Sequence, residues 1–364
     1  MLFKKIRLCI LLIAVPSFIF SQQQDSIVYK IGQMIMVGLP GNSVDTNSTF
    51  YKDIKNGKVG GISIYEAHLT ATNTSENLHA MINAYQAAAP IPLFTAITQE
   101  GGLVNRLKTK YGFPPMPSAA YLGKLDNIDS TKYYADNTAF TLSRLGINVN
   151  FAPVLDVYMS TNPVLGSRER TFSSDPDKII EHATQIILSH NYFKVNTVVK
   201  HFPGHGSSTE DSHLGVTDVS RTWKDEELEP YRVLIKKGLV NAVMTAHIVN
   251  ENLDKDKYPA TLSKKIITDL LRRKLRFNGV VFSDDMQMKA ISTQYGLKES
   301  IELSINAGVD VLLFSGNINS KAPNTAGDIV DIILQLLKEG KITKQQIDAS
   351  YKRIIRMKNE RKNL

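Results

Sequence analysis

Residues 200–213, Lys200-His201-Phe202-Pro203-Gly204-His205-Gly206-Ser207-Ser208-Thr209-Glu210-Asp211-Ser212-His213, hold three of the chain's eight histidines beside two acids. Asp211 precedes His213 by two residues, and a carboxylate so placed can orient an imidazole and raise its pKa. The ring then serves first as a proton donor and afterwards as a base. Pro203, Gly204 and Gly206 supply the bends with which a loop folds back over a site. A metal is the competing reading, since His201, His205, Asp211 and His213 could surround zinc. Their spacing matches no standard zinc pattern, and Lys200 would repel a cation, so no metal is expected.

A second cluster, Val280-Val281-Phe282-Ser283-Asp284-Asp285-Met286, sets two acids after three large apolar residues. One carboxylate faces a strand end and the other turns away. Asp284 suits a nucleophile toward an electrophilic carbon, or a metal ligand, while Asp285 reads as a cap for the next helix.

These residues end short, nearly continuous apolar runs at 32–39, 60–65, 92–98, 147–157, 195–200, 241–247, 279–284 and 309–315. Such runs suit strands buried on both faces of a parallel sheet. Their starts lie about 28 to 55 residues apart, room for a crossover helix in each interval. Residues 261–275 place Leu262, Ile266, Ile267, Leu270, Leu271 and Leu275 on one helical face, with Ser263 as a cap. Residues 329–337 and 347–357 repeat the pattern. A (β/α)8 barrel and a doubly wound open sheet both fit such a rhythm, and eight runs without a ninth favour the α/β barrel. Reactive groups then gather at the C-terminal strand edges, here Thr98-Gln99-Glu100, Lys200-His201, His247 and Ser283-Asp284-Asp285.

The 364 residues are 43% hydrophobic and 21% charged, the balance of a foldable globular chain. Length alone suggests two domains of about 150 residues; the strand count turns that into one barrel over residues 22–364, with extra length in the loops after strands 4, 5 and 6 and no second sandwich domain. Residues 1–21 carry Lys4, Lys5 and Arg7, then an apolar core from Leu8 to Phe20 and Ser21, which reads as a secretory signal peptide and implies a periplasmic or secreted protein. Removing it takes the net charge from +8 to +5 and removes Cys9, the one cysteine. The mature chain then has neither disulfides nor thiolate metal sites. The densest basic run, residues 353–362, reads as a solvated helix end, so no nucleic-acid partner is expected. No stable membrane insertion is expected after cleavage, and the protein is expected to be a monomer. Trp223 reads as packing, His247 as either a site residue or a hydrogen-bonded rim residue, and His68, His79, His182 and His190 as helix-surface residues.

Together these motifs resemble glycoside hydrolase family 3, most of all its single-domain bacterial β-N-acetylglucosaminidase branch. Gln99-Glu100-Gly101-Gly102 with Arg106, residues 151–157, and Arg170-Thr171-Phe172 before Asp175-Pro176 extend the resemblance over about residues 27–358. It implies a (β/α)8 barrel without a cofactor that releases terminal β-linked N-acetylhexosamine, with retention, from amino-sugar glycans such as peptidoglycan fragments. By that resemblance Asp284 is the nucleophile, His213 paired with Asp211 the acid/base, and Arg106, Arg170, Lys200 and His201 hold the sugar. Two departures stand out: Thr98 replaces a family Asp that accepts hydrogen bonds from sugar hydroxyls, and Leu103 replaces a common Arg. The alternatives are another β-glycoside specificity, phosphorolysis, or a catalytically weak glycan-binding barrel.

Overall fold

Buried apolar runs pair edge to edge wherever their backbone groups have no water to bond. A computed structural model describes residues 27–212, 214–316 and 325–360; the expected signal peptide, residues 1–21, lies outside them. Eleven strands occur among the described residues: β1 (Ile35–Gly38), β2 (Gly61–Ile64), β3 (Phe94–Ile97), β4 (Val149–Asn150), β5 (Asn196–Thr197), β6 (Val199–Phe202), β7 (Thr217–Asp218), β8 (Ala242–Thr245), β9 (Ile248–Val249), β10 (Val280–Asp285) and β11 (Val311–Phe314).

Nine of them form one parallel sheet in the order β5-β4-β3-β2-β1-β11-β10-β8-β6. Its two ends, β5 and β6, are separated in sequence by Val198 alone. A single extended segment therefore pairs with β4 through its first half and β8 through its second, and the ring closes on it. Each of the eight expected runs supplies one stave of this (β/α)8 barrel. The run at 147–157 makes a ladder only at Val149–Asn150 and then continues extended, bridged at Val154 to Lys200. β7 and β9 pair outside the barrel and tie together the loops that follow β6 and β8.

The interior is filled by side chains, with Phe282 packed against Phe94 and Phe151 at ring separations of 5.8 and 5.9 Å. The helices follow their sequence signals. Asp175 caps Pro176–Tyr192 by accepting the Asp177 amide at 2.9 Å. Ser263 accepts the Ile266 amide at 3.1 Å ahead of Lys265–Lys274, which winds as a π-helix in place of the expected α-helix. Ala326–Lys338 and Lys344–Glu360 close the ring. No helix among the described residues is long and apolar enough to cross a membrane.

Three of the four histidines expected on helix surfaces are buried. His182 stacks on Phe172 at 5.3 Å and lies 2.8 Å from Thr131 Oγ1. His190 faces the barrel wall, and the His68 ring accepts the Tyr65 amide at 3.0 Å. Only His79 is exposed. His182 and His190 share a face with Ile179 and Ile186, so the helix buries them with its apolar stripe.

Candidate active site

Two neighbouring residues just past β3 organise one side of the barrel mouth. Gln99 is buried, and its Oε1 accepts the amides of Arg106 and Leu107 at 2.9 and 3.1 Å while its Nε2 donates to Asn105 at 2.6 Å. It thereby fixes the turn that presents Arg106, whose guanidinium lies 5.9 Å from the centre of the Tyr65 ring. Glu100 binds Arg170 through two parallel bonds of 2.8 and 2.7 Å and Lys200 through one of 2.6 Å. Burial pushes the Glu100 carboxyl upward, but the two cations outweigh it and hold the group below the usual carboxylate range.

Past β4, Asp156 is fully buried. It accepts the His201 ring through Nδ1 at 2.7 Å and the His205 amide at 2.8 Å. Burial raises its carboxyl, and the neighbouring His201 more than reverses this. The other ring nitrogen of His201, Nε2, lies 3.3 Å from Arg170 Nη2. Arg170, Lys200 and His201 are thus locked in one lattice on two carboxylates.

At the end of β10, Asp284 is partly exposed, and its Oδ1 accepts the Asp285 amide at 2.8 Å. Its charge acts on Arg170, Lys200 and His205. Asp285 does not cap the following helix, whose N-cap is Met288. It binds the Gln287 amide at 3.0 Å and the amide and hydroxyl of Ser315, pinning the ends of β10 and β11 together. Burial pushes the Asp285 carboxyl up to about 6 and the Tyr65 phenol up to about 12. His247 is a buried brace, 2.9 Å from the Asp285 carbonyl through Nε2 and 2.8 Å from Thr261 through Nδ1.

The loop after β6 is anchored from behind. Both ring nitrogens of His205 are hydrogen-bonded, to Ser208 at 2.7 Å and Ser212 at 3.1 Å, and burial lowers its pKa to about 4. Trp223 packs beneath, donating to the Pro203 carbonyl at 3.3 Å. Asp211 is partly exposed near the loop's far end. His213 lies outside the described residues.

Thr98, Leu103, Arg106, Arg170, Lys200, His201 and Asp284 line one cavity of about 190 Å³, joined by Tyr65, Arg168, Asp285 and Ser315. That is below the roughly 300 Å³ floor of drug-sized pockets, and it suits one small polar ring. Its donors are charged and fixed, and its carboxylate stands at a strand end, an arrangement fit to grip a polyhydroxylated ring and attack one carbon of it. Glu100 as the clamp, Asp156, Arg168 and Tyr65 are not singled out by the sequence motifs. Asp156 closes an apolar run as Asp284 does, and that signal could have marked it.

The glycosyl hydrolase family 3 N-terminal domain matches residues 26–357. A β-hexosaminidase of Tolumonas auensis is 33% identical over 288 residues, covering 78% of this chain and 83% of that protein. The β-hexosaminidase LpqI of Mycobacterium tuberculosis is 31% identical over 339 residues, covering 90% and 82%. Among solved structures, a family 3 β-N-acetylglucosaminidase from Paenibacillus sp. str. FPU-7 superimposes with a TM-score of 0.84 at 33% identity, over 93% of this chain but 63% of that longer one. A β-N-acetylhexosaminidase from Beutenbergia cavernae gives 0.82 at 28% identity, covering 92% and 98%.

Proposed function

This chain belongs to glycosyl hydrolase family 3, and from that premise we propose that it is a retaining exo-β-N-acetylhexosaminidase releasing terminal GlcNAc from glycans such as peptidoglycan fragments. The observation that carries the reading is Asp284 at the C-terminal edge of β10, opening on a cavity whose wall holds the Glu100–Arg170–Lys200 clamp. Asp284 attacks the anomeric carbon while His213, aligned by Asp211, protonates the departing oxygen. Water, deprotonated by the same imidazole, then breaks the bond between Asp284 and the sugar, and the configuration is retained. Arg106, Arg170, Lys200 and His201 hold the ring throughout. The protein acts as an exported monomer, with residues 1–21 as its signal.

The test is turnover of 4-nitrophenyl β-N-acetylglucosaminide against the matching β-glucoside, with the product anomer read by proton NMR. GlcNAc released first as the β-anomer, and a loss of about 10³-fold or more in Asp284→Ala, are the expected results. Equal rates for Asp284→Ala and wild type would overturn the proposal. Thr98 in the cavity wall favours a second reading, a different β-hexoside, and the glucoside arm decides between them.

A further inference from the structure

Glu227 lies on the short 3₁₀ turn Asp225–Leu228, behind the loop that follows β6. It is 2% exposed. Its Oε2 accepts the Gly206 amide at 2.9 Å and the Ser207 amide at 3.4 Å. Gly204 makes room for it: with φ at +116°, it would carry any Cβ within 2.6 Å of Glu227 Cβ. From the other side, Asp156 accepts the His205 amide at 2.8 Å, and Asn162 Nδ2 donates to the carbonyls of His205 and Gly206 at 2.8 and 3.0 Å. Residues 205–207 are therefore clamped front and back. The His205 ring carries the constraint forward directly, bonded through Nδ1 to Ser208 and through Nε2 to Ser212, the residue between Asp211 and His213 in sequence. Burying a carboxylate costs several kcal/mol unless strong hydrogen bonds offset it, and burial raises the Glu227 carboxyl to about 7.

We propose that Glu227 is a positioning residue for the hydrolytic reaction, holding the Gly206–Ser207 backbone and with it the loop that runs on through Ser212 to the acid/base pair. The proposal rests on the acid/base assignment above. A displaced acid/base leaves sugar binding intact and slows the steps that need proton transfer. It also leaves a bypass: azide needs no deprotonation, so it attacks the anomeric carbon directly, forms the glycosyl azide and frees the Asp284 carboxylate.

The experiment uses the full chain with 4-nitrophenyl β-N-acetylglucosaminide, with and without azide. Glu227→Ala should lose about tenfold or more in kcat, with KM unchanged or lowered as the glycosyl-enzyme accumulates, and azide should restore turnover. Glu227→Gln, which keeps one acceptor oxygen, should fall between Ala and wild type and respond to azide in the same way. A folded Ala variant with wild-type kcat, or a loss that azide leaves untouched, overturns the proposal. If the Ala variant does not fold, the Gln variant decides by the same two criteria. An inactive wild type would instead overturn the glycosidase reading itself, and the positioning role with it.

Discussion

Thr98 shows how much one side chain in the cavity wall controls. It shares that wall with Arg106, Arg168, Arg170 and Lys200. Arginine and lysine side chains only donate hydrogen bonds, so sugar hydroxyls must find their acceptors elsewhere. Glu100 is already taken up by Arg170 and Lys200, and beside it the threonine hydroxyl offers only a weak neutral acceptor. A charged acceptor contributes about 1.5–3 kcal/mol against about 0.5–1.5 for a neutral one. Thr98→Asp should therefore raise kcat/KM for an aryl β-N-acetylglucosaminide by about fivefold, a gain near 1 kcal/mol. An unchanged or lower kcat/KM in that variant would show that the position does not hold the sugar. Lys200, His201 and Asp284 could be picked from the sequence because they break out of apolar runs at strand ends, whereas Arg106 and Arg170 sit in loops and were marked only by the family resemblance. Asp156 and Glu227 act mainly on backbone amides of a loop far away in sequence, a relation that exists only after folding.

The helix Pro176–Tyr192 links the barrel wall to the site through His190. Its Nδ1 lies 2.8 Å from the Ile186 carbonyl, so that nitrogen carries the proton, and Nε2 accepts from Asn150 Nδ2 at 3.0 Å. Asn150 in turn binds both the amide and the carbonyl of Gln99, at 3.0 and 3.1 Å. A second ring proton would point at the Asn150 amide group, and burial accordingly lowers the His190 pKa from 6.5 to about 4. The unfolded chain binds this proton more readily, so the contribution of His190 is fully present above about pH 6.5 and fades as pH falls toward 4. At pH 5 the lost contribution is on the order of 2 kcal/mol. Asp285 and Glu227, raised by burial to about 6 and 7, change stability in the opposite sense over the same range. The clean measurement is therefore a difference: the stability gap between wild type and His190→Asn, by urea denaturation, should shrink by about that amount between pH 7.5 and pH 5. A gap that stays constant would sink the assignment. The strands were legible because short apolar runs that end in polar residues at regular intervals suit buried parallel strands. The buried histidines were missed because a polar residue on an apolar helical stripe reads as surface until its partner across the packing is known.

Across the whole molecule the two ends of the barrel are built for different tasks. The C-terminal edges carry the cavity, and the opposite floor is closed by the last helix, Lys344–Glu360. From that helix Lys358 enters the floor, bonded to Gln33 and the Gly60 carbonyl at 2.6 and 2.8 Å and lying 4.5 Å from the Phe94 ring. Asp310, at the foot of β11, is the central tie. It accepts Arg272 and Arg353 at 2.6 Å each, Ser350 at 2.8 Å and the Val281 amide at 2.9 Å. One carboxylate thus joins two strands and two helices, and it is fully buried. Removing it leaves two guanidinium groups facing a closed floor without their counterion, a loss of about 3–5 kcal/mol for a fully buried pair. Both arginines keep some contact with solvent, which puts Asp310→Ala near the lower limit, about 3 kcal/mol, or a fall in Tm of about 4 °C for a single unit of this size. The cavity lies at the other end of the same strands, so kcat/KM at 25 °C should stay within about twofold of wild type. Calorimetry and steady-state kinetics on one preparation read both quantities. An unchanged Tm would mean that the ties to Asp310 are dispensable. A large loss of activity at an intact Tm would mean that floor and mouth are coupled through the strands and do not divide stability from catalysis.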